Sequence, residues 1–113
     1  MQDLRIKGTI TEIMARLVRG DYWGVEQRTG GLRLSAEELR QAVAEYGRHL
    51  RMPPLHALDA VEAVEIDGSN PKAWSVVCEM WTEEEGRSDL SLELTLTDSG
   101  DQMQVEVDNL HVL

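Results

Sequence analysis

The side chains of this chain that could do chemistry are three histidines, one cysteine and an acidic run around a single arginine. The run is Trp81-Thr82-Glu83-Glu84-Glu85-Gly86-Arg87-Ser88-Asp89. Its four carboxylates could hold a cation or grip a basic side chain. A calcium loop, however, needs oxygen ligands at regular spacing and a glycine at a sharp turn. Three consecutive glutamates cannot all converge on one ion, so the segment reads as a solvated hairpin loop with Arg87 paired locally. No metal site is expected.

His49, His56 and His111 lack the spacing to one another, to cysteine or to carboxylates that a zinc motif requires. His111 follows Asp108 in an irregular strand, and an Asp–His pair at a pocket mouth can do acid–base chemistry. A rim histidine is the simpler reading, and no catalytic residue is assigned. Cys78 sits mid-strand among apolar residues, where a thiol is inert packing. Nothing near it in the sequence supplies the base a nucleophile needs. No nucleophile elbow, phosphate loop, dinucleotide fingerprint or zinc spacing is present, and no cofactor is expected.

The elements that would position these residues are marked by period and caps. Thr9-Ile10-Thr11-Glu12 fits a capping box, followed by Ile10, Ile13, Met14, Leu17 and Val18 on one helical face. Gly20 closes that helix in a left-handed conformation. Asp21 caps a short second helix through about Arg28, ended by Gly30-Gly31. Ser35-Ala36-Glu37-Glu38 is a second capping box, opening a third helix with the stripe Leu39, Ala42, Val43, Tyr46 and Leu50. Pro53-Pro54 prevents its continuation.

After Pro54 the period becomes that of strands. Val64 and Ile66 alternate with Glu65 and Asp67, and Asp67 to Pro71 is a turn. Ala73 to Thr82 is apolar on both faces, as a central strand would be. Trp74 and Trp81 are seven apart and face opposite sides. One tryptophan joins the core, and the other marks a contact surface on the open face or its edge. Glu83 to Asp89 connects to Leu90, Leu92, Leu94 and Leu96, which alternate with polar residues. Met103, Val105 and Val107 return, and past Asp108-Asn109 the phase slips to Leu110 and Val112. A bulge does that.

Helices followed by about four antiparallel strands predict one α+β domain over residues 1–113. Two to three N-terminal helices would cover one face of a curved sheet, a roll like the cystatin-like and nuclear-transport-factor-like folds by element order. At 42% hydrophobic and 28% charged, the composition is globular. No apolar run approaches the roughly 20 residues of a membrane helix. The N-terminus does not read as a secretion signal, so the cytoplasm is the expected compartment.

Charge is uneven. Residues 1–56 hold nine Lys/Arg and seven Asp/Glu, a net of +2, whereas residues 57–113 hold two and fourteen, a net of −12. A surface of that sign repels nucleic acid and anionic membranes and admits a basic protein.

Beyond these patterns, Leu34-Ser35-Ala36-Glu37-Glu38-Leu39-Arg40, Trp74-Ser75-Val76, Trp81 to Leu90 and Leu110-His111-Val112-Leu113 resemble a family of small bacterial proteins of about this length. The family carries no assigned function. The resemblance spans nearly the whole chain and implies one bacterial domain; it transfers no catalytic residue.

The expected function is a non-enzymatic module that presents Trp81, Glu83, Glu84, Glu85, Asp89, Glu93, Glu106 and Asp108 to a basic protein, as toxin-neutralising immunity proteins do. The alternative is a roll holding a small molecule between helix and sheet, with weak chemistry at His111. A homodimer built sheet to sheet ranks below both, since burying so many carboxylates is costly.

Overall fold

Asp3 begins the first helix: its carboxylate accepts the Arg5 backbone N–H, and helix α1 runs Leu4–Val18. The computed structural model describes residues 3–113. The helix is therefore capped six residues before the box expected at Thr9. Thr9 lies inside it, its hydroxyl donating to the Arg5 carbonyl at 2.7 Å. That local bond satisfies the side chain and leaves it no capping role. The early start brings Ile6 onto the buried face with Ile10, Ile13, Met14 and Leu17. Helix α2, Tyr22–Thr29, is capped by Asp21 on the Gly24 N–H.

Helix α3, Ala36–Tyr46, opens with the reciprocal Ser35–Glu38 capping box. It ends at Gly47, whose φ of 73° suits a left-handed cap, and not at Pro53. Leu50 consequently leaves the helical stripe and enters a two-residue strand β1, Leu50–Arg51. A short helix α4, Leu55–Ala60, follows Pro54 where the sequence suggested only strands. Six residues are too few to show a helical period, and the prolines ahead of it suit a helix start as well as a helix stop.

Strands β2 (Ala63–Glu65), β3 (Ala73–Thr82), β4 (Gly86–Asp98) and β5 (Met103–Val112) complete an antiparallel sheet. β3 is central: β4 pairs along one edge, and β1 and β2 share the other. The sheet is five-stranded, one strand more than expected. β4 begins at Gly86, earlier than Leu90, because the turn is only Glu83 to Glu85. The register is displaced between Glu79 and Trp81, where Ser88 repairs the ladder. Its hydroxyl donates to the Met80 carbonyl and accepts the Leu90 N–H. In β5, Glu93 pairs with Asn109 but Leu94 with Val107, so Asp108 is the extra residue of the bulge foreseen there.

α1, α2 and α3 supply one layer and the sheet the other. Leu90, Leu92, Leu94 and Leu96 are at most 2% exposed and share a core with the α1 stripe, Val76, Met80, Val105 and Val107. Trp74 packs against that core, and Trp81 points to the other face.

Leu94→Ala, at the centre of this core, is expected to cost about 2–5 kcal/mol. Urea unfolding followed by far-UV circular dichroism checks it, with a lower midpoint and an unchanged slope.

Candidate functional site

On the side away from α1–α3 the sheet displays Ser75, Val77, Glu79 and Trp81 of β3, then Glu93, Thr95 and Thr97 of β4, then Gln104, Glu106 and His111 of β5. Ser75, Val77 and Glu79 are exposed, since no helix packs on them. The eight residues expected to form one acidic surface are divided by the fold.

Glu84 and Glu85 turn toward α3 and β1. Glu84 accepts the His49 backbone N–H at 2.9 Å and meets the His49 ring at 2.7 Å. Glu85 accepts the Tyr46 hydroxyl at 2.8 Å and the Thr82 hydroxyl at 3.1 Å. Tyr46 in turn accepts the Asp89 backbone N–H. These bonds clamp the β3–β4 turn to the end of α3. Glu83 and Asp89 are exposed, and neither carboxylate has a cation partner among the described residues.

Glu93, Glu106 and Asp108 stay on the open face, each already engaged. Glu93 holds the His111 imidazole. Arg33 lies 3.6 Å from Glu106 and 3.7 Å from Asp108. Asp108 also accepts the Thr95 hydroxyl at 2.6 Å, while its other oxygen is buried without a hydrogen bond, Arg33 being within ion-pair reach only. The carboxylate at His111 is thus Glu93 and not Asp108. The bulge puts Asp108 beside Thr95, out of line with His111.

Trp81 has a cationic setting. The Arg51 guanidinium carbon lies 5.6 Å from its ring centroid. His56 approaches edge-on at 6.5 Å and 84°. Arg87 is its register partner on β4 and has no carboxylate partner among the described residues, contrary to the local pairing expected from the sequence. Glu84 and Glu85 are held elsewhere by His49, Tyr46 and Thr82.

A groove of about 680 Å³ runs beside Trp81, between α4 and the β3 edge. It exists because β1 pairs only with residues 81–82 and β2 only with residues 74–76, leaving the edge at 77–80 open. The pocket considered from the sequence lay between helix and sheet, but this groove depends on α4, which the sequence pattern did not reveal. Met14 and Cys78 reach the groove from the core side. Burial, with a smaller push from Glu79, raises the Cys78 pKa to about 12, so its thiol stays protonated. Among the described residues no three His, Cys, Asp or Glu side chains converge as a metal site. No helix there is long and apolar enough to cross a membrane.

These features define a two-layer α+β domain with an open sheet face and an edge groove. The chain belongs to the family described as Domain of unknown function (DUF7668), whose model matches residues 14–113. No curated protein and no solved structure matches it.

Two predictions follow from the electrostatics. Cys78 should resist thiol reagents at pH 8 in the folded protein and react once urea unfolds it, as colorimetric titration would show. The ring contact with Glu84 raises the His49 pKa above 6.5, and the His49 backbone N–H, then its ring, lower that of Glu84 below 4.5. A raised histidine stabilises below its unfolded value and loses this as pH climbs through the folded one. A lowered carboxylate stabilises above its unfolded value and loses this as pH falls through the folded one. The clamp is strongest between about pH 4.5 and 6.5. Glu84→Gln should bring the His49 midpoint, followed by NMR, back toward 6.5.

Proposed function

We propose that the chain is a non-enzymatic protein-binding module that docks a basic partner on the β2–β3 side of its sheet. Charge supports this, though at a different place from the eight residues singled out in the sequence. Five of the seven carboxylates among those eight already have partners within the chain, whereas Glu62, Glu65, Asp67 and Glu79 have neither an ion pair nor a hydrogen bond from another described side chain.

The observation that carries the reading is what these four carboxylates border. Val64, Ile66 and Val77 are 62%, 40% and 51% exposed. Val64 lies opposite Ser75 and one diagonal step from Val77, so they form one patch. Exposed valines and isoleucine at the sheet, with Glu79 on the same face and Glu62, Glu65 and Asp67 along the neighbouring edge strand and its ends, suit a partner with an apolar centre and a cationic rim. The cationic cleft of a toxin nuclease is one such partner, and a cytoplasmic immunity protein is the corresponding instance. The groove beside Trp81 favours a second reading, a small-molecule site.

Affinity capture from a lysate of the source cells tests the docking. The wild-type chain should retain a basic protein at low salt and release it at high salt, because surface attraction of this kind is screened. A Glu65→Lys/Glu79→Lys variant with an unchanged circular dichroism spectrum should retain none. A wild type that holds no basic protein at low salt, or a variant that holds it equally well, removes the reading.

A further inference from the structure

We infer that the row Arg51–Trp81–Arg87, with the groove beside it, is a binding site for a small monocarboxylate carrying an apolar body. The register places the three residues side by side across β1, β3 and β4, since Arg51 and Arg87 are both paired with Trp81. Directly paired residues on one face have Cβ atoms about 4.5–5.5 Å apart. The Arg51 guanidinium lies over the indole, and Arg87 lines the groove together with Trp81.

Their lack of carboxylate partners is the informative feature. The chain has 21 acidic and 11 Lys/Arg residues, and seven of the eleven are ion-paired: Arg5, Lys7, Arg16, Arg19, Arg28, Arg33 and Arg40. In so acidic a chain an arginine without a carboxylate is the exception, yet two of the remaining four meet on the same tryptophan. Two of the acids nearest in sequence are restrained from reaching them, and the exposed Glu83 and Asp89 form no ion pair with either arginine among the described residues. Glu84 is bonded to His49, and Glu85 to Tyr46 and Thr82. The clamp that removes those acids leaves the arginines available.

The chemistry follows from the residue types. A guanidinium held over an indole face keeps its peripheral N–H donors free, and these match a carboxylate in a bidentate fork. The groove offers apolar surface from Val77 and Val61 next to that fork, in a volume of about 680 Å³. Pockets for small ligands span about 300–1,000 Å³. Glu79 and Glu62 also line the groove, on the β2 side of Trp81. They confine the anionic group to the β1 side and disfavour a dianion. The carboxylate could belong to a free acid or to the C-terminus of a peptide. The groove shares Val77, Glu79 and Glu62 with the β2–β3 docking patch, but recognition of the carboxylate by Arg51 and Arg87 does not rest on that docking.

Titration of the ¹⁵N-labelled chain, followed at the Trp81 indole N–H, tests the inference with four probes: 3-phenylpropionate, its neutral amide, an apolar tripeptide with a free C-terminus, and the same tripeptide amidated. Either free carboxylate should move the Trp81 signal saturably, and its amide should not. Preference between the two identifies the source. Arg87→Gln and Arg51→Gln, both at exposed positions, should each weaken binding by about tenfold or more, as loss of a charge-assisted bond does, with unchanged circular dichroism. Equal binding of acid and amide, equal affinity in the arginine variants, or no movement of Trp81 at millimolar probe would overturn it.

Discussion

The structure depends on apolar burial between the α1 stripe and the leucine face of β4. Burying one leucine or isoleucine side chain fully is worth about 1.5–3 kcal/mol. Four leucines of β4 and the residues Ile6, Ile10, Ile13, Met14 and Leu17 are all at most 4% exposed. An exposed ion pair contributes about 0–1 kcal/mol. The core, not the many surface ion pairs, therefore fixes where helices and sheet lie. It also accounts for Cys78, held protonated because it belongs to this interior.

With that layer set, the polar groups sort themselves by position. Arg5 shows the pattern: it bonds Asp3 in its own helix, both oxygens of Asp98 and the carbonyl of Gly100. Its guanidinium holds the Asp98 carboxyl below the usual carboxylate range, and α1 is tied to the β4–β5 turn. The N-terminal half thus lends its cations to the acidic C-terminal half: Arg5 to Asp98, Lys7 to Asp59, Arg33 to Glu106 and Asp108. The sharp division of charge along the chain is blunted in space. Among the described residues, what stays without an ion pair includes the acids around β2, Glu83 and Asp89 beside the β3–β4 turn, and the two arginines at Trp81.

The edge groove has an equally simple origin. The segment between β1 and β2 is too long to follow β3 residue by residue, so it leaves the sheet as α4 and packs toward α1, where Asp59 meets Lys7. The abandoned stretch of β3 keeps an open edge. An unpaired edge is a liability unless it is short or covered; here it is four residues long and faces α4 across the groove.

The sequence by itself determined the elements whose signals are local. The Ser35 capping box, the Gly20 and Gly30 stops, the alternating leucines of β4 and the phase slip at Asp108 all appear where their residues indicated, because period and caps act within a few residues. The α+β class was legible for the same reason. Tertiary structure alone decided which helix cap operated at Asp3, that α3 stopped at Gly47, and that residues 55–60 became helical. It also decided which carboxylates remain available. Glu84 is taken by His49, Glu85 by Tyr46 and Glu93 by His111, partners separated from them by eighteen residues or more. No local pattern encodes such pairings, since they exist only once the core has brought distant strands and helices together.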